Sequence, residues 1–357
     1  MPRLHRYLIR EVETNDLDEL YRLAQHLNSV NFPHDKLSLE KMIEASQRSF
    51  AGRMDPPFEA CYMFVLSPED DPFRLAGTST IVAQHGTPSA PHVYFDVLED
   101  ERYSTTLDRH FRHTTLRLGF SYQGPTEIGA LVLDPELRSG GLGKPLSFVR
   151  FVFMAMYRER FRDEVIAELM PPLEADGRSR LWEHIGRRFT DLDYQEADKL
   201  SQANKEFIIS LFPMQMNATL LPEDVRALIG EVGENTRGVR RMLESIGFEY
   251  VQRIDPFDGG PHFHAKTDDI TIIHSTRPGR VDDEPLDDDL EQRVLTERES
   301  VGGAMRAIIA VGQTTGPTRF RATAAAIIDQ HATVQLTTHT QRLLRIEPGD
   351  TVFITEI

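Results

Sequence analysis

Residues 126–161, TEIGALVLDPELRSGGLGKPLSFVRFVFMAMYRERF, constrain the fold more than any other stretch of the chain. The apolar run EIGALVLD reads as a strand buried on at least one face. Asp134-Pro135 ends it, a glycine-rich turn follows, and a long apolar-faced helix begins near Pro145. Proline in a first helical turn sacrifices no intrahelical bond, because that N–H has no partner there. Glycines in the turn permit positive φ and a close approach of backbone to ligand. N–H groups at the helix start can then point at an anion, with the helix dipole adding favourable charge.

The turn, Arg138-Ser139-Gly140-Gly141-Leu142-Gly143, has the spacing Arg-x-x-Gly-x-Gly and is followed by Lys144. It is neither a Walker A loop nor the dinucleotide fingerprint. The pyrophosphate of an acyl-coenzyme A is the better fit. Arg138, Ser139, Gly140, Gly141, Leu142, Gly143 and Lys144 are therefore the expected cofactor-binding residues, the two cations neutralising phosphate.

With 357 residues, the chain can bury a core as one large domain or two modest ones. A net charge of −16 opposes non-specific nucleic-acid binding and attraction to anionic membranes. No window reaches the roughly 18 apolar residues that span a bilayer, and the charged N-terminus has no signal-peptide core, so a cytoplasmic protein is expected. Cys61 is the single cysteine, which excludes an internal disulfide and a multi-cysteine metal site.

The strand–Asp-Pro–Arg-x-x-Gly-x-Gly–helix unit resembles motif A of the GNAT acyltransferase superfamily. LDPELRSGGLGKPLSFVRFVFMA is further similar to the acyl-CoA loop of arginine N-succinyltransferases. The resemblance continues through VIAELM, DGRSRLWEHIGRRF and NKEFIISLFP, and is strong again at NTRGVRRMLESIGFEY and IDPFDGGP. It implies an α+β fold: a GNAT-like mixed central sheet flanked by helices over residues 1–279. An acidic linker is expected at 280–295 and a small β-rich C-terminal subdomain at 296–357. The implied activity is transfer of succinyl from succinyl-CoA, a co-substrate and not a tightly bound cofactor, to the α-amine of arginine or ornithine. The family also implies a homo- or hetero-oligomer. A GNAT acetyltransferase acting on another small amine, and a catalytically silent acyl-CoA-binding or arginine-sensing protein, stay open. Leu142 and Met214-Gln215-Met216 depart from the family pattern, and Trp182 stands where a superfamily Tyr commonly protonates the thiolate.

The resemblance also assigns roles. Backbone N–H groups near Leu131, Val132 and Leu133 would polarise the thioester carbonyl. Glu127, opening that strand, is the first candidate base, against the plainer reading of a surface Glu. Ser147, Tyr157 or water would protonate the thiolate. Asp255 and Asp258 would hold a guanidinium, against ordinary turn-stabilising roles. Lys205 and Arg178 would receive the succinyl carboxylate, against plain solvation. Among the histidines, His110 and His113 could share a helix face, and His262 and His264 one side of a strand. Neither pair has a third partner at ligand spacing, so no metal is expected.

Overall fold

A computed structural model describes residues 6–25, 32–88, 90–201, 204–313 and 318–357. For Ser139 and Gly140 it describes the backbone alone. The chain divides into two compact units. The first comprises Met1–Ala83, Ile128–Phe161 and Asp268–Ile357, and the second Gln84–Glu127 and Arg162–Thr267.

In chain order the strands are β1 (Tyr7–Glu11), β2 (Cys61–Pro68), β3 (Gly77–Val82), β4 (His92–Ser104), β5 (Arg109–Ser121), β6 (Thr126–Leu133), β7 (Glu164–Glu168) and β8 (Gln215–Asn217). There follow β9 (Glu249–Ile254), β10 (Pro261–Lys266), β11 (Arg277–Val281), β12 (Met305–Gly312), β13 (Phe320–Asp329), β14 (Thr333–Gln335) and β15 (Thr351–Glu356).

In the first unit the strand order is β12-β15-β11-β14-β13-β1-β2-β3-β6. Because β12 also pairs with β13, strands β12, β15, β11, β14 and β13 close a ring. Alternate residues of β12, Ala307, Ile309 and Val311, join Ile327, Val334 and Ile354 in the ring's core, as the two-residue period of a strand requires. Three helices matter here: α1 (Leu17–Ala24), α2 (Lys36–Phe50) and α3 (Gly143–Met156). Asp35 caps α2 by accepting the Ser38 N–H, and Leu39 and Ile43 bury one face against Met63 and Val65. In α3 every residue from Pro145 to Met154 is buried, the mark of a core helix. Phe153 on α3 lies within 5.4 Å of the Phe50, Tyr62, Phe64 and Phe320 rings.

The acidic run expected as a linker holds local structure. It contains the end of β11 and most of a helix, Asp288–Glu297, capped by Asp287. Glu291 is buried and accepts the Thr337 and Thr340 hydroxyls. Leu286, Leu290 and Val294 recur at helical spacing beneath the charges and pack together.

In the second unit the order is β7-β10-β9-β4-β5-β8, with Thr126 and Glu127 of β6 running parallel to Val165 and Ile166. In DRHFRHTT the residues from Arg109 onward are strand, not helix, because β5 pairs with β4 residue for residue. His110 and His113, three apart on a strand, consequently face opposite sides; His110 is exposed and His113 half-buried, its Nδ1 3.0 Å from the Thr219 hydroxyl. Trp182 is a core residue. It stacks on Phe257 at 5.1 Å and donates its indole N–H to Leu192 O. An ideal Cβ on Gly186 would fall 2.2 Å from that indole, so the close packing demands glycine there. Among the described residues, no helix is long and apolar enough to cross a membrane.

Candidate active site

The second unit gathers ionisable side chains from strand ends. Glu127 lies at the start of β6, Glu168 ends β7, His92 opens β4, and His262 on β10 is the cross-strand partner of Glu168. His85 precedes β4, and Asp255 and Asp258 lie in the turn between β9 and β10. His85 Nδ1 donates to Glu127 Oε2 at 2.6 Å. Glu168 Oε1 lies 3.3 Å from His92 Nε2, 3.4 Å from His262 Nε2 and 3.8 Å from His85 Nε2. The His85 and His92 rings meet edge-on at 4.4 Å. Yet Glu168 Oε1 and all three Nε2 atoms lack a hydrogen-bond partner, although His92 and His262 are 1% and 0% exposed. Buried polar atoms are nearly always bonded, so this cluster has unmet capacity for a polar ligand.

Its electrostatics follow from burial and crowding. Burial pushes His92 well below its ordinary value and His262 down to about 4, leaving both neutral near pH 7. Burial also works against a charged His85, but Glu127 outweighs it and raises that imidazole. Burial alone would raise the Glu168 carboxyl; the surrounding imidazoles, His262 foremost, and Lys205 hold it well below the carboxylate range instead. Lys205 is raised because Glu168 and Asp255 outweigh its burial. Burial lifts Asp255 to about 6 and Asp258 well above its ordinary value, the latter with help from the Asp255 charge. Both also shape their turn: Asp255 accepts the Phe257 N–H at 2.6 Å and Asp258 that of Gly260 at 2.8 Å. Ionisable carboxyls beside neutral imidazole acceptors suit a cationic, donor-rich ligand such as a guanidinium.

In the first unit, the glycine turn is built as its sequence implied. Asp134 is buried, accepts the Glu136 N–H at 3.1 Å and takes Arg22 at 2.9 Å. A 3₁₀ turn, Pro135–Gly140, leads to Gly141 at φ +74. α3 then begins with Leu142 at its N-cap and no side chain capping it. Arg298 reaches the turn: an ideal Cβ on Gly141 would fall 2.7 Å from its Nη2. Burial and then Arg306 lower Lys144, while burial and then Arg298 lower Arg306. Cations that depress one another beside an uncapped helix start favour an anion. In β6, Ala130 takes φ +43, uncommon for a residue with a side chain, just ahead of Leu131, Val132 and Leu133.

The arginine N-succinyltransferase beta subunit family model matches residues 7–272 of this chain. The chain belongs to that family. Arginine N-succinyltransferase from Yersinia pestis (strain Pestoides F) is 34% identical over 272 residues, covering 75% of this chain and 77% of that protein. Arginine N-succinyltransferase subunit beta from Pseudomonas aeruginosa is 34% identical over 270 residues, 74% of this chain and 78% of the relative. Among solved structures, arginine/ornithine succinyltransferase subunit AI from Pseudomonas aeruginosa has a TM-score of 0.82 at 26% identity, covering 99% of both chains. The family match stops before β11, whereas that structural likeness runs through the strand ring.

Against this succinyltransferase background, the expected site residues divide. Glu127, Lys205, Asp255 and Asp258 come together in one cluster. Arg178 does not join them; it is exposed and paired with Asp176 at 2.6 Å. Ser147 is fully buried on α3, its hydroxyl accepting from Arg150 at 2.7 Å. Tyr157 ends α3 with Arg160 stacked over its ring at 4.1 Å, and burial raises its phenol. His85, His92, Glu168 and His262 were missed as a group, as were Arg298 and Arg306 beside the turn. One signal was available: Glu168 is a lone acid inside the otherwise apolar run VIAELM.

Proposed function

We propose that this chain transfers the succinyl group of succinyl-CoA to the α-amine of arginine, with ornithine as the nearest alternative acceptor. Membership of the arginine N-succinyltransferase family carries this reading, and the two sites just described agree with it. The strand–turn–helix unit is read as the GNAT motif that binds acyl-CoA. Its pyrophosphate is taken by the N–H groups of the glycine turn with Arg138, Lys144, Arg298 and Arg306. Backbone N–H groups of Leu131–Leu133 polarise the thioester carbonyl.

The amine nitrogen attacks that carbonyl carbon, the C–S bond breaks, and the CoA thiolate leaves and is protonated. Before attack the ammonium must lose a proton. Glu127 serves here through His85: by accepting the Nδ1–H it leaves the Nε2 lone pair to take that proton. The raised imidazole suits this role, because a base works best with a pKa near the working pH. Asp255 and Asp258 hold the guanidinium, whose positive charge offsets the burial that raises both carboxyls and favours their ionised forms, and Lys205 offers its ammonium to the succinyl carboxylate. Arg178, engaged by Asp176, is given no part. The relatives described as subunits support an oligomer of this chain.

Thiol release from succinyl-CoA and from acetyl-CoA, measured against a panel of amines, tests the reading. Release that requires both arginine and succinyl-CoA supports it. Turnover only with acetyl-CoA, or CoA binding without amine-dependent turnover, overturns it.

A further inference from the structure

Three features of the cluster point beyond proton transfer. First, His85 Nε2, His92 Nε2 and Glu168 Oε1 lie within 4.8 Å of one another, and all three are buried without a hydrogen-bond partner. Secondly, His92 Nε2 and His85 Nε2 stand 3.3 and 3.8 Å from Glu168 Oε1. Zinc–ligand bonds of about 2.0–2.1 Å set neighbouring atoms of a tetrahedral site roughly 3.3 Å apart, so modest contraction would complete three-point ligation. Thirdly, the remaining nitrogen of His85 is held by Glu127 at 2.6 Å. A carboxylate behind a ligating imidazole fixes its tautomer and raises its basicity, as is general for metal-bound histidine.

We propose that His85, His92 and Glu168 form a binding site for a borderline divalent transition-metal ion, and that its occupancy arrests acyl transfer. Two imidazoles and one carboxylate suit zinc-like ions, whereas calcium and magnesium take oxygen ligands. Glu168, Asp255 and His262 form a second close triad sharing the same carboxylate. It offers one nitrogen instead of two, and Asp255 already accepts the Phe257 N–H, so the His85 side is the stronger site. Three protein ligands leave a position for water. The arrest, though not the binding, rests on His85 being the base: a metal on Nε2 takes the lone pair that would accept the amine's proton.

Calorimetric titration of the chelator-treated, full-length protein with Zn²⁺ tests the site. The expected result is one equivalent bound. Affinity should fall at least 100-fold in His92→Asn and Glu168→Gln, and about 10–100-fold in Glu127→Gln through the lost support of His85. His262→Asn should stay within a few-fold of the wild type. Co²⁺ bound to the wild type should show ligand-field absorption displaced by Zn²⁺, a readout independent of whether the buried variants fold. No saturable binding, unchanged affinity in a folded His92→Asn protein, a loss confined to His262→Asn, or no Co²⁺ bands overturns the site. For the arrest, the chelator-treated enzyme should turn over, lose turnover on one equivalent of Zn²⁺ and regain it with chelator. Zinc that binds but leaves turnover unchanged, or raises it, overturns the arrest alone. A chelator-treated enzyme inactive toward every donor and amine contradicts the proposed function and leaves the zinc titration to stand separately.

Discussion

Gly141→Asp isolates what the glycine turn does. Gly141 has φ +74, a left-handed conformation that costs an ordinary side chain about 1–2 kcal/mol. Aspartate tolerates it better than alanine, so with Gly141→Ala as the reference the strain works against the predicted difference and does not inflate it. In both, the new Cβ meets only the far end of the Arg298 side chain, which can swing away. The aspartate differs by one negative charge. At about 4 Å from a phosphate, with an effective dielectric near 20, like charges repel by about 4 kcal/mol, and exposure to salt reduces this to roughly 2. The carboxylate would also draw Arg298 toward itself. CoA affinity should therefore fall about 30- to 1,000-fold in Gly141→Asp and less than about 10-fold in Gly141→Ala, measured by calorimetry with thermal unfolding as the control. Equal affinities in the two variants would refute the assignment of a pyrophosphate to this turn.

Glu127→Gln should lower kcat about 10²- to 10⁴-fold while CoA affinity holds, since the amide cannot sustain the charged pairing with His85; wild-type turnover across pH would remove Glu127 and His85 from proton transfer. Because burial raises Asp255 to about 6, its carboxyl is protonated below that pH and loses its hold on a cation. The KM for arginine should accordingly rise as pH falls through 6, and this rise should be absent in Asp255→Asn. Trp182→Ala should destabilise the protein by about 3–5 kcal/mol in urea unfolding. Trp182→Phe should keep turnover, and a selective loss of kcat there would instead give the indole a part in the chemistry.

What was legible in the sequence is what local pattern encodes. The strand, the Asp-Pro stop, the glycine turn and the helix lie within one contiguous stretch, and each signals its own backbone geometry. The helix at Asp288–Glu297 was hidden because its acidic residues outnumber the three apolar ones that hold it down. The His110 and His113 segment looked helical by spacing, and only its pairing with β4 decided for strand. The site was half legible. Glu127, Asp255 and Asp258 sit in distinctive motifs, whereas His85, His92 and Glu168 are ordinary residues of loops and strands until β7, β10 and β4 bring them together. Arg298 and Arg306 reach the glycine turn from more than 150 positions away, and no period or spacing in a single sequence announces such a contact. Arg178 lies in a family-like segment too, but it is exposed and paired with Asp176 in its own loop, apart from the cluster.

The most direct test is the product itself. Arginine labelled with ¹⁵N at the α-amine, incubated with succinyl-CoA and this protein, should yield an arginine heavier by one succinyl group, with the new amide on the labelled nitrogen. An unmodified arginine beside hydrolysed succinyl-CoA, or succinyl attached to the guanidinium, would contradict it.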